Sequence, residues 1–314
     1  MANRRKRLAA CVLTFAFCIL GGALWLPAQT TQTQMTQEIG WEISTGNIKP
    51  ALADARQAVL EFPQSAILRH LLAVAESKNG LTSEARKSFN KAIQLDPTIP
   101  QNYYDLALLD MQAGDYDDAI RMLHSFLDVS PQNARAHLML GIAYRKQNND
   151  PLAIRQLKQA LAMSPSLPLA HYNLGKIYAS HGNNKAALSE YRDELGVNPE
   201  FYGVYCSAGD AELAEKNFAS AEALFRRGTQ LRPLVSQAYL GLARVFVATK
   251  QLSKAENELQ RAIALAPGDI DAHSLLAGVY SQLGKTLEAK REELVVETLK
   301  SQAKQAQATA SPSN

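Results

Sequence analysis

The sequence has few cysteines and, outside its N-terminus, almost no excess of either charge. Cys11 and Cys18 lie in an apolar N-terminal stretch, which leaves Cys206 alone in the rest of the 314 residues. One thiol can form neither an internal disulfide nor a cysteine-rich zinc site, so packing must hold the fold together. Residues 1–28 contain four basic and no acidic residues, and removing those four from the 33 basic residues leaves 29 against 30 acidic residues. Nucleic-acid binders carry a basic face, so we predict no nucleic-acid partner.

Motifs of catalysis are also missing. The sequence has no Gly-x-Ser-x-Gly elbow, no phosphate-binding glycine loop and no His-Glu-x-x-His helix. No motif places a His/Asn pair for Cys206, and a lone cysteine is typically an inert, small apolar residue. We therefore expect no enzyme, no catalytic residue and no cofactor.

The N-terminus predicts export. Arg4, Arg5, Lys6 and Arg7 precede an uncharged apolar run over residues 8–26, which is interrupted by Gly21 and Gly22. This arrangement is typical of a secretory signal, and 19 apolar residues are also close to the length of a membrane anchor. Residues 1–28 are thus predicted to be either a cleaved signal peptide or a retained anchor that holds the chain at the membrane through residues 8–26.

The expected location follows from the same charges. Basic residues stay on the cytoplasmic side, so the rest of the chain would lie outside it. The sequence has no Asn-x-Ser/Thr acceptor, which favours a bacterial envelope over a eukaryotic secretory route. We expect a periplasmic protein, either free or anchored in the inner membrane and facing the periplasm.

Proline recurs at a fixed interval through the rest of the chain. The spacing is 34 residues each time, at Pro63, Pro97, Pro131, Pro165, Pro199, Pro233 and Pro267. Such self-similarity indicates an array of repeats. Proline lacks an N–H and clashes with a preceding helical turn, so each one is predicted to end a helix.

Other positions repeat in phase with the prolines. Alanine stands twelve residues before each one, at Ala51, Ala85, Ala119, Ala153, Ala187, Ala221 and Ala255, and Ala289 continues the series. A bulky residue usually stands eight before it, and a small residue twenty-four before it. This pattern predicts two amphipathic helices per repeat, with close helix contacts at the small residues. Their connecting turns are marked by Gly46, Gly80, Gly114, Asn148, Gly182 and Gly284, which tolerate a left-handed backbone.

These residues resemble the tetratricopeptide repeat family, whose period is also 34 residues. The resemblance implies an all-α solenoid, a right-handed superhelix of about eight helix-turn-helix units, over residues 29–304. The units are expected near residues 32–65, 66–99, 100–133, 134–167, 168–201, 202–235, 236–269 and 270–303, with a disordered tail at residues 305–314.

Two features depart from simple packing within this array. Glu194 stands where Ala92, Ala160 and Ala262 occur, among several glycines, and we expect residues 194–212 to be the softest junction. His137, His171 and His273 share one repeat position with Tyr103, Tyr205 and Tyr239. Histidines one repeat apart are too separated to share an ion, so half-buried packing is the preferred explanation and no metal site is expected.

The resemblance also implies a concave groove lined by the first helix of each repeat. The positions that would line it are His70, Val74, Tyr104, Leu108, Met111, Leu138, Ile142, Arg145, Tyr172, Asn173, Lys176 and Arg244. They form an apolar and aromatic track with a basic rim. The Lys/Asn/Arg pattern that grips a carboxylate in some members is present only in fragments.

The function implied is a protein–protein interaction scaffold of the cell envelope, holding a partner peptide or protein segment in the groove. Three basic groove residues favour an acidic or C-terminal segment. The alternative is a glycan- or peptidoglycan-binding module in the same compartment, for which Tyr104 and Tyr172 offer aromatic surfaces.

Overall fold

A computed structural model describes the backbone of residues 26–310 and the side chains of residues 31–306. Over that range the chain forms sixteen helices and no strand. They are α1 (Leu26–Ser44), α2 (Ile48–Glu61), α3 (Ala66–Lys78), α4 (Thr82–Leu95), α5 (Pro100–Ala113), α6 (Tyr116–Val129), α7 (Ala134–Lys146), α8 (Asp150–Met163), α9 (Ala170–Ser180), α10 (Asn184–Val197), α11 (Tyr202–Ala214), α12 (Phe218–Leu231), α13 (Ser236–Ala248), α14 (Leu252–Leu265), α15 (Ile270–Gln282) and α16 (Thr286–Ala310).

The all-helical prediction is therefore confirmed, and the helices follow the proline period. The second helix of each complete pair ends two residues before a repeat proline, as α4 does at Leu95 before Pro97. The next helix begins within about five residues, and several of these starts are capped. Ser65, Asn133 and Asp269 each accept a hydrogen bond from a backbone N–H of the first turn.

The turns inside the helix pairs have the predicted backbone. All six predicted residues have a positive φ, between +59° at Asn148 and +86° at Gly114. The structure adds Lys216 and Lys250, with φ of 61° and 59°, which occupy the same turn in two further repeats. A lysine in the left-handed backbone conformation carries a steric cost that glycine does not. Because lysine does not favour this conformation, its presence alone does not predict a turn.

The chain divides into two compact units, Met1–Leu109 and Asp110–Asn314. In the first, a cluster that includes Ile39, Leu52, Leu68 and Leu72 packs α1, α2 and α3 together. In the second, successive clusters are built around Leu157, Tyr191 and Phe225 on the second helices of their pairs.

Small and bulky residues alternate at the helix contacts as predicted. The seven repeated alanines from Ala51 to Ala255 are fully buried, and Ala289 is 4% exposed. A Cβ placed on Gly175 would lie 2.4 Å from the Tyr191 ring, and one on Gly141 would lie 2.6 Å from Leu157. These glycines let the paired helices approach closely enough for the bulky side chain to fill the space between them.

Both ends of the array depart from the expected bounds. Helix α1 already begins at Leu26, inside the predicted N-terminal segment 1–28, and residues 1–25 of that segment lie outside the described range. Helix α16 continues to Ala310, into the predicted disordered tail, because residues 301–310 are rich in alanine and glutamine and contain neither proline nor glycine. Among the described residues, no helix has the length and apolar character that crossing a membrane requires.

Candidate functional site

The predicted groove residues all lie on the first helices of their pairs, but their side chains differ in exposure. Lys176 is exposed, and most of the others are half-buried. Leu138 and Asn173 are only 6% and 3% exposed. Leu138 packs against Leu157 and Leu174 in the core, so it offers a partner almost no surface. The apolar track of the sequence prediction therefore loses one of its members to helix packing.

In the first unit, His70 on α3 is held by polar groups of α5. Its Nδ1 lies 2.8 Å from Asn102 Oδ1, and its Nε2 lies 3.5 Å from Asp105 Oδ2. Burial raises the pKa of Asp105, which the His70 charge and a hydrogen bond from Gln101 oppose. These contacts join two neighbouring helices, so His70 has a clear structural role here.

The second unit contains a pocket of about 420 Å³ between α7, α9 and α11, which we call the Lys176 pocket. Its polar lining is Arg145, Asn148, Asp150, Lys176, Ser180, Asn184, Tyr191, Ser207 and Asp210. Arg145 and Lys176 are two of the predicted groove residues. The sequence prediction missed most of the others, because several of them lie on turns and on α10 rather than at the expected positions of the first helices.

Charge is arranged unevenly around the Lys176 pocket. Arg244 on α13 lies 3.7 Å from Asp210 and 3.8 Å from Asp271, so two carboxylates balance its charge. Burial raises the pKa of Asp210, against the lowering effects of Arg244 and Lys176. Arg145, by contrast, donates from Nε to the neutral amide of Asn173 at 3.1 Å. Arg145 and Lys176 are thus the cations best placed to receive an anionic group.

Tyr191 forms part of the pocket wall from α10. Its side chain is 1% exposed, and burial raises the pKa of its phenol, so the hydroxyl stays neutral. Within the described chain, no group completes a hydrogen bond of good geometry to this hydroxyl. Tyr172 packs against Phe201 with ring centroids 4.9 Å apart and lies 6.1 Å from the Tyr191 ring. Tyr172 is therefore largely engaged in packing.

Glu194 has a role that its repeat position did not suggest. It is fully buried, and its carboxylate accepts hydrogen bonds from the backbone N–H groups of Leu169 (2.8 Å) and Tyr172 (3.2 Å). Leu169 precedes α9 with a left-handed backbone, φ 73°. Asn173 supports the same start by donating to the Leu169 carbonyl at 2.7 Å. A carboxylate from α10 thus caps the N-terminus of α9 in place of a local cap residue.

This cap removes much of the reason to expect a soft junction at residues 194–212. The buried carboxylate has its partners, and two of the nearby glycines face aromatic rings. A Cβ on Gly203 would lie 3.1 Å from Phe201, and one on Gly209 would lie 2.8 Å from Phe225. The glycines make room for rings, so they do not by themselves indicate weak packing.

The histidines and tyrosines that share one repeat position form hydrogen bonds within their own repeats. Tyr205 and Tyr239 donate from their hydroxyls to the carbonyl of the repeat proline six residues earlier, and His273 Nε2 faces Pro267 O at 3.0 Å. The three histidines also each place Nδ1 within 2.7 Å of a side-chain oxygen nineteen residues later. The tyrosine hydroxyls and the His273 imidazole nitrogen thus reach the same proline carbonyl from one repeat position.

Cys206 is fully buried in the core of the second unit, and burial raises the pKa of its thiol to about 12. A thiol needs to ionise and to be reached before it can act as a nucleophile. The environment therefore agrees with the expectation of an inert side chain.

Comparison with known proteins gives matches along most of the chain. Residues 43–100, 104–168 and 151–200 match a family described as tetratricopeptide repeat. Residues 212–279 match a second family with the same description.

Solved structures give the same fold at low sequence identity. A tetratricopeptide repeat protein from Parabacteroides merdae superposes with a TM-score of 0.64 at 15% identity, over 80% of this chain and 99% of that one. The crystal structure of the APC/C hetero-tetramer Cut9–Hcn1 also gives a TM-score of 0.64, at 19% identity, over 78% of this chain but only 48% of that one. PilW, a type IV pilus biogenesis factor, gives 0.59 at 21% identity, over 64% and 93%.

Proposed function

Because this chain belongs to the tetratricopeptide repeat family, we propose that it is an interaction scaffold that binds a segment of another protein in the Lys176 pocket. Repeats of this kind generally mediate binding to other proteins, and proteins with this fold are typically non-catalytic. The observation that carries the proposal is a recess of about 420 Å³ into which several polar side chains converge from three helix pairs.

Arg145 and Lys176 line the pocket together with the carboxylates of Asp150 and Asp210, and the two cations favour a partner segment that brings a carboxylate. Lys176 is exposed, and the amide of Asn173 orients Arg145 without neutralising it. A partner carboxylate, from an acidic side chain or from a chain end, would receive charge-assisted hydrogen bonds from these two cations. The Asp210 carboxylate lies in the same recess and would accept hydrogen bonds from the partner's backbone N–H groups.

The pocket sets a limit on the strength of the complex. A recess of this size accommodates a few residues of a partner, and ordering a flexible segment costs free energy. We expect micromolar affinity, and we expect it to fall as salt concentration rises, because rim charges are screened.

The experiment compares partner capture by pocket and non-pocket variants. The double variant Lys176→Glu with Arg145→Glu reverses the two cations, while Lys158→Glu makes the same change at an exposed position of α8 outside the pocket. Each is immobilised after circular dichroism has shown intact helices and is offered detergent-solubilised envelope. Proteins retained by the wild type and Lys158→Glu but lost from the double variant are identified by mass spectrometry.

A captured protein then supplies the direct test. A peptide from it should bind the wild type in isothermal titration calorimetry and bind the double variant at least tenfold more weakly. Equal affinity for both proteins would refute the pocket as the binding surface. Attention would then move to α16, whose Leu287 and Leu294 are 61% and 64% exposed.

We further propose that this scaffold works in the bacterial cell envelope, outside the cytoplasm. The support is the basic cluster at residues 4–7 followed by the apolar run at residues 8–26. An alkaline phosphatase reporter fused after Asn314 should be active in an expressing bacterium, and a fluorescent reporter that matures only in the cytoplasm should be dark. The reverse result would contradict export. Detection of the fusion with or without residues 1–28 would distinguish a retained anchor from a cleaved signal.

A further inference from the structure

One histidine and two acidic residues meet on neighbouring helices, outside the Lys176 pocket. His171 lies on α9, and Glu190 and Asp193 lie one turn apart on α10. One ligand atom from each residue lies within 4.8 Å of those of the other two. His171 Nδ1 and Glu190 Oε2 are 2.7 Å apart, and their side chains are 19% and 21% exposed. Asp193 is exposed, so an ion could enter from solvent.

We propose that His171, Glu190 and Asp193 bind a divalent transition-metal ion of the Zn²⁺ type. An imidazole nitrogen with two carboxylate oxygens is a donor set that Zn²⁺ accepts, and a water would complete a tetrahedral site. Ca²⁺ prefers six to eight oxygen ligands, and Mg²⁺ requires octahedral oxygen coordination, so neither suits three donors that include a nitrogen. Small side-chain rotations would turn the hydrogen-bonded pair and Asp193 towards one ion.

The other repeats show which part of this arrangement is unusual. The pairing of histidine with a side-chain oxygen nineteen residues later also occurs at His137 with Gln156 and at His273 with Glu292. The residue three positions further on is Gln159 in the first case and Val295 in the second. Among the residues whose side chains the structure describes, the combination with a third ligating group is found at His171. Asp193 converts a repeated packing contact into a set of three ligands.

This arrangement differs from the array of His137, His171 and His273, in which we expected no metal site. An array would need histidines from successive repeats to share an ion, whereas here all three ligands come from a single repeat. No local motif indicates this site, because His171 and Asp193 are 22 positions apart and the pairing of α9 with α10 brings them together. A bound ion would link the two helices of this repeat and stabilise the folded chain through its preference for that state.

The experiment uses the full chain with Cys11→Ser and Cys18→Ser in every sample, untagged and freed of metal with a chelator. Zn²⁺ is added in isothermal titration calorimetry and in thermal unfolding followed by circular dichroism. We expect one equivalent to bind. We also expect the unfolding midpoint to rise by about 5 °C at a hundredfold excess over Kd.

Variants taken from the other repeats locate the site without disturbing the fold. His171→Tyr introduces the residue that Tyr205 and Tyr239 supply at this position, and Asp193→Gln introduces the residue found at Gln159. Each should weaken Zn²⁺ binding at least tenfold and abolish the rise in the midpoint. His273→Tyr makes the same change where no third ligand is present and should leave both readouts unchanged.

Three results would overturn the proposal. The first is no binding to the parent chain at up to about 100 µM Zn²⁺, a level at which a three-ligand zinc site is occupied. The second is unchanged binding in His171→Tyr or Asp193→Gln. The third is a loss in His273→Tyr as large as that in His171→Tyr.

Discussion

Glu194 is the residue at which the repeat pattern and the folded chain differ most. At its position alanine is the usual residue because two helices meet there, and a buried carboxylate without partners would be costly. Helix α9 begins at Ala170, two residues later than the regular spacing, and Leu169 takes up a left-handed backbone. The N–H groups left at that start are the partners that Glu194 requires. Two irregularities that each look unfavourable alone therefore compensate one another.

Replacing Glu194 should reveal this dependence. Glu194→Ala leaves two amide N–H groups without an acceptor, so we expect it to lower the free energy of unfolding by about 2–3 kcal/mol. Glu194→Gln keeps one oxygen and should cost about 1 kcal/mol. Urea unfolding followed by circular dichroism measures both. The control is Glu222→Ala, whose partner Arg226 is exposed and whose effect should stay within about 0.5 kcal/mol. A loss of similar size in Glu194→Ala and Glu222→Ala would contradict the capping role.

Asp210 should make stability depend on pH. Burial raises its pKa above the ordinary value of 3.8, so just above pH 3.8 the folded chain binds more protons than the unfolded chain. Stability contributed by this group therefore falls as pH rises through that interval. Asp210→Asn removes the effect, so we expect a higher melting temperature than that of the wild type at pH 7 and no difference below pH 3.8. Asp128→Asn, at an exposed position of α6, is the control. A variant of Asp210 that melts lower at pH 7 would contradict this account.

At the scale of the helix pair, the turns show what the sequence could and could not predict. The positive φ of the five turn glycines and of Asn148 was predictable, because those residue types favour a left-handed backbone. Lys216 and Lys250 could be placed there only by counting the 34-residue period, since lysine has no such preference. The position within the 34-residue period therefore determines where the turn forms. Glycine or asparagine at that position only lowers the free-energy cost of the left-handed backbone.

These two turns offer sites for stabilisation. Lys216→Gly and Lys250→Gly each relieve a left-handed residue with a side chain, so we expect each to raise the free energy of unfolding by about 0.5–1 kcal/mol. The converse change Gly182→Ala, at φ 70°, should lower it by about 1 kcal/mol. Denaturant unfolding of the three variants against the wild type is the measurement. Destabilisation by both lysine replacements would show that their side-chain contacts outweigh the backbone strain.

At the scale of the whole molecule, the regular part of the fold was open to prediction and the candidate site was not. The prolines, the buried alanines and the turn residues recur at a fixed spacing, so the helix bounds follow from the sequence. The Lys176 pocket depends on features that occur once among the described repeats, such as the hydroxyl of Tyr191 at the bulky position and the cap at Glu194. Leu138 shows that repeat position alone does not predict exposure, since it is in phase with the groove residues and is nevertheless buried.

The charge of the whole chain gives a further prediction. Without residues 1–28 the chain has 29 basic and 30 acidic residues, so it lacks the excess of positive charge that attracts polyanions. We expect the form that starts at residue 29 to pass through a heparin column at physiological salt and to leave the anisotropy of a labelled DNA duplex unchanged. Retention that requires about 0.3 M salt for elution would indicate a basic surface and reopen the question of a nucleic-acid partner.

The cap on α9 also bears on how this array could lengthen or shorten in evolution. Leu169, Tyr172 and Glu194 all lie within residues 168–201, so a deletion of that one period would remove the displaced helix start together with the carboxylate that compensates it. A recombination point inside the period would separate them and leave either two unsatisfied amides or an unpaired buried acid. Gain and loss of this repeat should therefore be viable as a single cassette, with boundaries near the prolines, and Ser207 would then take the place of Asn173 beside Arg145.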